Sequence, residues 1–404
     1  MTDSTLAYEQ QLDAQYVMQT FKRKPVEFVR GEGMRLYDDA GREYLDFIAG
    51  IGVASAGHAH PLVTAALQAQ AAKLLNVSNY YYVEGRGELA RTLNDLLNSE
   101  SDSTTVWRTF FTNSGAESVE GAIKLARRYG KKHLGGAVGI VAAQRSFHGR
   151  TLAALAATGQ PSKQEAFEPL PAGFTHVPLN DLAALQTALS AGEICAVLLE
   201  PLQGEGGVWP CATEYLQAVR HLTTERGILL ILDEVQTGFY RTGKPFAFQH
   251  FGIQPDIITL AKGIANGFPM GALVARDAVA AAFEPGDHGS TFAGGALAVA
   301  AANATQQALA ELDAAAHVSK VGTYLQQQLA ELPLVVEVRG CGLMVGAALS
   351  QPVAAQAVDA GLEQGLVLNN TDPATLRFLP PLVCTTTEID LMIAKLTKIL
   401  EKLS

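Results

Sequence analysis

The segment Ile228-Leu-Leu-Ile-Leu232, followed at once by Asp233-Glu-Val-Gln236, shows the pattern on which the fold prediction depends. A short apolar run of this kind is typical of a strand that is buried on both faces of a parallel sheet. Residues 138–142 and Ile194–Leu199 are similar runs, and amphipathic stretches such as 213–226 lie between them. This alternation predicts an α/β fold with a mostly parallel central sheet flanked by helices.

The regions on either side of this central part predict a second, smaller domain. They contain a hairpin with its turn at 38–41, a helical pattern from Gly294-Gly295 to about residue 331, short strands at 335–339 and 343–349, and an amphipathic helix at 387–403. Strands and helices that are segregated in this way are typical of an α+β unit. We therefore expect a large α/β domain at 61–295 and a small α+β domain built from 1–60 and 296–404.

Composition excludes several classes of protein. Of the 404 residues, 48% are hydrophobic and 17% are charged, so the chain can bury a large core and is not intrinsically disordered. The formal net charge of −10 argues against binding to nucleic acid or to an anionic membrane surface. The first ten residues do not resemble a signal peptide, and no apolar run approaches the roughly 18 residues of a membrane span. We expect a cytoplasmic protein.

The cysteines and histidines show no metal-binding pattern. The four cysteines are Cys195, Cys211, Cys341 and Cys384. They form no C-x-x-C motif, which is typical of reduced structural cysteines in a cytosolic protein. His58 and His60 are two residues apart in a loop with no carboxylate or cysteine cluster close in sequence. We expect these histidines to belong to a structural turn, and we expect no bound metal.

Asn113-Ser-Gly-Ala-Glu117 connects an apolar run to a helical pattern. Small residues at a turn from strand to helix leave backbone N–H groups free to bind an anion, commonly phosphate. The alternative is an ordinary helix start that is capped by the hydroxyl of Ser114. The pattern alone is compatible with both interpretations.

Asp233 and Glu234 place two carboxylates at the end of a buried strand, where open α/β sheets bind their ligands. A carboxylate in this position needs a cationic partner, because burying it unpaired costs several kcal/mol. The partner could be a metal ion, as in an NTPase, or a protonated cofactor nitrogen, or a basic side chain in a simple salt bridge.

Lys262 follows the apolar run 257–261 directly. Burial lowers the pKa of an ammonium group and makes the amine nucleophilic, which suits covalent chemistry with an aldehyde. The alternative is a lysine that extends from the strand end into solvent.

Three weaker motifs add further polar and aromatic groups. They provide an aromatic ring, a guanidinium group, a loop acid and small polar residues, and they are Ser146-Phe-His-Gly-Arg150, Gly204-Glu-Gly-Gly207 and His288-Gly-Ser-Thr291.

In this order, the motifs resemble those of the class III aminotransferases, which are pyridoxal-phosphate (PLP)-dependent enzymes of fold type I. The resemblance covers nearly the whole chain and rests on Leu45-Asp-Phe47, Gly50-Ile-Gly-Val53, Gly57-His58, His60-Pro61, Asn113-Ser-Gly-Ala-Glu117, Phe147-His-Gly-Arg150, Glu200-Pro201, Gln203-Gly-Glu-Gly-Gly-Val208, Asp233-Glu-Val-Gln236-Thr-Gly238, Lys262, His288-Gly-Ser-Thr291 and Leu376-Arg-Phe-Leu-Pro-Pro381. The fold that it implies agrees with the prediction from the apolar runs.

The resemblance implies which residues bind PLP: Gly115, Ala116, Phe147, Asp233, Glu234, Val235, Gln236, Lys262 and Thr291. Lys262 would bond to the cofactor aldehyde and later move a proton, and Asp233 would pair with the ring nitrogen. Thr291 would bind the cofactor phosphate of the partner subunit in a homodimer. After Thr291 the family usually has Gly-Gly-Asn-Pro, whereas this chain has Phe292-Ala-Gly-Gly-Ala296, so the loop that crosses between subunits departs from the pattern.

The resemblance also implies the substrates. Arg150, with Ser290, would bind the carboxylate far from the reacting amine, and Arg377 would bind the α-carboxylate of 2-oxoglutarate or glutamate. Glu205 would pair with Arg377 when the other substrate brings no carboxylate there. The expected reaction moves the δ-amino group of N2-acetylornithine to 2-oxoglutarate and gives N-acetylglutamate 5-semialdehyde and glutamate, as in arginine biosynthesis.

Other functions remain open at this point. The donor could be ornithine, succinylornithine, 4-aminobutyrate or an N-protected lysine, because the acyl pocket has no readable motif. The reaction could instead be that of an aminomutase or racemase, or the chain could be a catalytically silent PLP-fold binding protein. An NTPase that uses Asp233 and Glu234 with magnesium is disfavoured, since no G-x-x-x-x-G-K-[ST] motif is present.

Overall fold

The structure is a computed structural model that describes residues 6–101 and 103–404. Its α-helices are α1 Leu6–Tyr16, α2 Ala49–Gly52, α3 Pro61–Ala71, α4 Arg86–Asn98, α5 Gly115–His133, α6 Leu152–Ala157, α7 Pro161–Gln164, α8 Leu182–Ser190, α9 Thr213–Glu225, α10 Asp277–Ala280, α11 Ala296–Glu311, α12 Ala314–Ala330, α13 Ala354–Glu363 and α14 Thr386–Leu403. Within these described residues, no helix combines the length and the apolar character needed to cross a bilayer.

The strands fall into four sheets. They are β1 Phe28–Glu32, β2 Arg35–Asp38, β3 Glu43–Asp46, β4 Trp107–Thr112, β5 Gly139–Ala143, β6 Phe174–Val177, β7 Ile194–Leu199, β8 Leu202–Gln203, β9 Trp209–Pro210, β10 Leu229–Asp233, β11 Ile257–Leu260, β12 Gly271–Arg276, β13 Val335–Cys341, β14 Met344–Leu349, β15 Leu366–Val367, β16 Asn369–Asp372 and β17 Thr375–Phe378.

The central sheet has seven strands in the order β4-β12-β11-β10-β7-β5-β6, and only β12 runs against the others. Its middle strands β7 and β10 are almost entirely buried, because helices such as α5 and α9 pack their apolar faces on the sheet. The predicted α/β fold with a mostly parallel sheet is confirmed. Strand β10 lies between β7 and β11, so Asp233 at its carboxyl end lies at the middle of the sheet edge.

The N-terminal hairpin and the C-terminal part of the chain share one small sheet. Strands β1, β2 and β3 pair antiparallel, and β15 adds to β3 in parallel. A second sheet, β13-β14-β17-β16, comes from the C-terminal region alone. Both ends of the chain therefore contribute to one sheet, and the division into a large domain at 61–295 and a small domain at 1–60 and 296–404 stays a prediction.

The long helical pattern after Gly295 contains a break. It forms two helices, α11 and α12, that are separated at Leu312 and Asp313. Asp313 has a left-handed backbone with φ of 49°, a conformation that aspartate tolerates better than most residues. The alanine-rich sequence on both sides favours helix, so the pattern gave no sign of this break.

His58 has a structural partner in the described part of the chain. Its Nε2 lies 2.7 Å from Oδ2 of the buried Asp46, and the backbone of His58 pairs with that of Gly33. These contacts tie the loop after α2 to the N-terminal hairpin. The four cysteines form no disulfide, and burial raises the pKa of each thiol.

Candidate active site

A cavity of about 380 Å³ opens at the carboxyl end of the central sheet. Its wall includes nine of the predicted site residues, which are Gly115, Ala116, Phe147, Arg150, Glu205, Asp233, Val235, Gln236 and Lys262. Most of them lie at or just after the carboxyl ends of β4, β5, β10 and β11, which meet because the carboxyl ends of parallel strands share one edge of the sheet. Glu205 follows β8, which lies outside this sheet.

Asp233 is a buried carboxylate in the wall of this cavity. Its Oδ1 accepts hydrogen bonds from the backbone N–H of Val235 at 3.1 Å and from the hydroxyl of Thr259 at 3.0 Å. Its Oδ2 lies 2.8 Å from Nδ1 of His148. These contacts fix the carboxylate on the cavity wall, where it can pair with a cationic group of a ligand.

His148 was not assigned a role from the sequence, yet it lies directly behind Asp233. Burial disfavours the imidazolium form, but the hydrogen bond and the negative charge of Asp233 outweigh burial, so the pKa of His148 is raised. Its Nε2 is buried and has no protein partner. The motif Phe147-His148 marks this histidine in the sequence, but its contact with Asp233 joins residues that are 85 positions apart and could not be predicted from the motif.

Lys262 extends from the end of β11 into the same cavity. Burial lowers the pKa of its ammonium group to about 8, although the nearby carboxylate of Glu205 opposes the shift. Its backbone is left-handed with φ of 47°, which costs of the order of 1–3 kcal/mol for a residue other than glycine. A partly neutral amine close to a buried carboxylate is suited to covalent chemistry with an aldehyde.

The start of α5 also lines the cavity and has the geometry that suits anion binding. The hydroxyl of Ser114 caps the helix by accepting from the N–H of Glu117 at 3.2 Å. The N–H groups of Gly115 and Ala116 belong to the first turn, where no intrahelical acceptor exists. A Cβ atom on Gly115 would come within 2.8 Å of Val235, so only glycine allows this close packing. The Ser114 cap is therefore compatible with anion binding at these N–H groups.

Glu205 and Arg377 form a salt bridge beside the cavity, with 2.5 Å between Oε1 and Nη1. Arg377 is only 2% exposed and also donates to Asn369 and to the carbonyl of Gly204. Burial favours the neutral acid, but the guanidinium outweighs it and lowers the pKa of Glu205. Arg377 does not line the cavity in this arrangement, since Glu205 lies between the guanidinium group and the cavity.

Glu200, like His148, is a buried polar residue for which the sequence patterns predict no role. It is 6% exposed and accepts from the backbone N–H of Phe147 at 3.1 Å and of Gly204 at 3.3 Å. Burial raises its pKa to about 7. Glu200 thus joins the predicted stacking residue to the loop that carries Glu205.

The prediction that Glu234 binds the cofactor is not supported by its side-chain position. Its carboxylate is fully buried and accepts from the N–H groups of Ala247 and Phe248 at 2.8 and 2.7 Å, and from the hydroxyl of Thr237. Burial raises its pKa to about 7. Asp233 faces the cavity and Glu234 does not, so Glu234 stabilises the following loop.

Ser290 and Thr291 lie outside this cavity. Ser290 accepts from Nδ2 of Asn113 at 3.0 Å and lines a separate cavity of about 460 Å³. Thr291 is exposed. One chain alone therefore does not bring these two residues to Lys262 and Asp233.

The arrangement fits pyridoxal phosphate. Asp233 offers a charge for the ring nitrogen, Lys262 an amine for the aldehyde, and Phe147 a ring for stacking. The start of α5 offers N–H groups for the phosphate, and the absence of a side chain on Gly115 lets this helix start pack closely on Val235 beside Asp233.

Comparisons with known proteins point the same way. A model of the family described as aminotransferase class-III matches residues 17–400. The chain is 48% identical over 400 residues to the acetylornithine aminotransferase of Gloeobacter violaceus, with 98% of each chain covered, and 46% identical over 383 residues to that of Caldanaerobacter subterraneus, with 94% and 95% covered.

Solved structures of similar proteins share the fold. The ornithine aminotransferase of Toxoplasma gondii superposes with a TM-score of 0.93 at 30% identity, covering 99% of this chain and 95% of the other. The N-acetylornithine aminotransferase of Stenotrophomonas maltophilia gives a TM-score of 0.82 at 35% identity, covering 97% and 98%.

Proposed function

This chain belongs to the class III aminotransferases, which are PLP-dependent enzymes, and from that premise we propose that it transfers the δ-amino group of N2-acetylornithine to 2-oxoglutarate. The products would be N-acetylglutamate 5-semialdehyde and glutamate. The observation that carries the proposal is the Glu205–Arg377 salt bridge close to Lys262, because a bridge that stays closed for one substrate and opens for the other would let one site accept both.

The bound cofactor would supply an aldehyde that holds the amino group between two substrates and a ring that withdraws electrons from the reacting carbon. The protein groups have distinct tasks. Asp233, held by His148 and Thr259, would keep the ring nitrogen protonated. Phe147 would stack on the ring. Lys262 would move the proton, which its lowered pKa of about 8 favours near neutral pH.

Two carboxylate sites explain how an ω-amine and an α-amino acid use one cavity. Arg150 is exposed at the cavity wall, 5.5 Å from the ring of Phe147, and would bind the carboxylate far from the reacting amine. Arg377 would bind the α-carboxylate of 2-oxoglutarate after Glu205 moves away. With acetylornithine the salt bridge would stay closed, because this donor brings no carboxylate to Arg377.

Ornithine is the second candidate donor, because the structure of the Toxoplasma gondii ornithine aminotransferase superposes with a TM-score of 0.93. Sequence favours acetylornithine: relatives with that name reach 46–48% identity, whereas this ornithine enzyme reaches 30%.

A panel of amine donors tests the proposal. We expect the highest kcat/KM for N2-acetylornithine with 2-oxoglutarate as acceptor, measured by the loss of cofactor absorbance in the visible range. Ornithine, succinylornithine, 4-aminobutyrate and N-protected lysine serve as competitors in the same assay. A higher kcat/KM for any of them would assign the enzyme to that donor instead.

We further propose a homodimer in which Thr291 binds the cofactor phosphate of the partner subunit. Two features support this: Thr291 is exposed and does not line the cavity of its own chain, and the exposed rings of Tyr80 and Tyr82 offer apolar surface for an interface. Light scattering on the purified protein would test the dimer. The cytoplasmic location remains a prediction from the sequence.

The rate of cofactor uptake should depend on pH through Lys262. The neutral amine attacks the aldehyde, and burial lowers the pKa of this amine to about 8. We expect the rate of PLP uptake by the apoprotein to rise about tenfold per pH unit below pH 8 and to level off above it. Stopped-flow absorbance measures the rate. A rate that keeps rising to about pH 10, as for an ordinary lysine, would contradict the lowered pKa.

A further inference from the structure

We propose that Arg339 is a positioning residue that holds the loop of Glu205 against the strand of Arg377, and so sets how readily this salt bridge opens. The inference rests on the proposed function, in which the bridge is closed for the amine donor and open for the keto-acid acceptor. A group that restrains the loop then determines the relative rates of the two half-reactions.

The loop in question, called here the Glu205 loop, comprises residues 204–208. It connects β8 to β9, which pair antiparallel through Gln203 and Trp209 and thereby fix both ends of the loop. Val208 is fully buried with a left-handed φ of 58°. Because both ends are paired, opening of the salt bridge from this side would be a movement within residues 204–208.

Arg339 contacts the loop that carries Glu205 and the strand that carries Arg377. Its Nε donates to the carbonyl of Gly207 at 2.7 Å, two residues after Glu205. Its Nη2 donates to the hydroxyl of Thr375 at 3.2 Å, two residues before Arg377 on the same strand. The guanidinium thus links the backbone that carries the acid to the strand that carries the base.

The surroundings of Arg339 are those of a fixed group. Its side chain is 8% exposed, pairs with Glu337 at 2.9 Å, and lies 4.1 Å above the indole ring of Trp209. A Cβ atom on Gly207 would approach Trp209 Nε1 to 3.0 Å, so loop and indole are in close contact. Arg145 also lies over this indole ring and donates to the carbonyl of Gly206 at 3.1 Å. A second arginine, on the solvent side, therefore restrains the same loop.

These contacts do not reach the cavity, so Arg339 acts on the reaction only through the Glu205 loop. Removing the guanidinium should let Glu205 leave Arg377 more easily. Carboxylates that compete for Arg377 should then bind more tightly, and the amine donor, which needs the bridge closed, should react less well.

The test is the holoenzyme variant Arg339→Met, which keeps an apolar stem over the indole and removes the donors. The two half-reactions are followed separately by cofactor absorbance. We expect the ratio of kcat/KM for N2-acetylornithine to that for 2-oxoglutarate to fall about fivefold, as for the loss of one net hydrogen bond. The Kd of glutarate, a non-reacting dicarboxylate, should fall by about the same factor in a calorimetric titration.

Arg30→Met is the matched control. Arg30 lies over the ring of Tyr37 and pairs with Glu32, two residues away, as Arg339 does with Glu337, but it lies on β1 in the N-terminal hairpin. This variant should leave both the ratio and the Kd of glutarate unchanged. If Arg339→Met does not fold, Thr375→Val, which removes only the buried hydroxyl, should shift both quantities in the same direction.

An equal change in both half-reactions, no change, or weaker glutarate binding in the variant would overturn the role of Arg339. This result is distinct from a failure of the proposed function. If the proposed function were wrong, the unaltered enzyme itself would not pass nitrogen from N2-acetylornithine to 2-oxoglutarate.

Discussion

Lys262→Ala should abolish transamination, with a loss of roughly four orders of magnitude or more in kcat/KM. The variant removes the only amine that lines the cavity among the described residues, and with it both the covalent attachment and the proton carrier. Alanine meets the same left-handed backbone as lysine, so the fold should persist. The visible absorbance of the bound cofactor should disappear on dialysis.

Lys244→Ala is the control for this variant. Lys244 is partly buried and pairs with Glu100 at 3.2 Å, but it does not line the cavity. Its replacement should leave the absorbance and kcat close to those of the unaltered protein. Retention of more than about a tenth of the activity by Lys262→Ala would show that another group does the chemistry.

Asp233→Asn should have the second largest effect, a fall of roughly a thousandfold in kcat. The amide keeps the shape of the side chain but removes the charge that the ring nitrogen needs, and it deprives His148 of its ionic partner. Steady-state kinetics with saturating cofactor gives kcat, and fluorescence titration gives the Kd for PLP, which should rise.

Glu234→Gln is the adjacent control, because its carboxylate serves the loop at Ala247 and Phe248. It should lower Tm by several degrees and change kcat little, since its bonds are structural. Asp233→Asn with near-normal kcat, or Glu234→Gln with a loss as large as that of Asp233→Asn, would contradict the assignment of the two carboxylates.

Local patterns predicted the parts of the fold that depend on neighbours in sequence. The runs at β7 and β10 are apolar along nearly their whole length because both faces of these strands are buried, and Ser114 caps α5 as its position suggested. The division of labour between Asp233 and Glu234 could also have been anticipated, because successive side chains at a strand end point to opposite sides.

Contacts between distant segments could not be predicted in this way. His148 reaches Asp233, and Arg339 reaches Gly207, only after the chain has folded, and neither pairing leaves a local signal. The break at Asp313 is likewise hidden by helix-favouring sequence on both sides. The roles of Ser290 and Thr291 rest on the resemblance alone, because neither residue lines the cavity of its own chain.

Transfer of a labelled nitrogen tests the central claim most directly. The holoenzyme is given N2-acetylornithine that carries ¹⁵N at the δ-amino group together with 2-oxoglutarate, and the glutamate formed is analysed by mass spectrometry. The account predicts that glutamate carries the label and that none forms with Lys262→Ala. Unlabelled glutamate, or no glutamate with the unaltered protein, would contradict it.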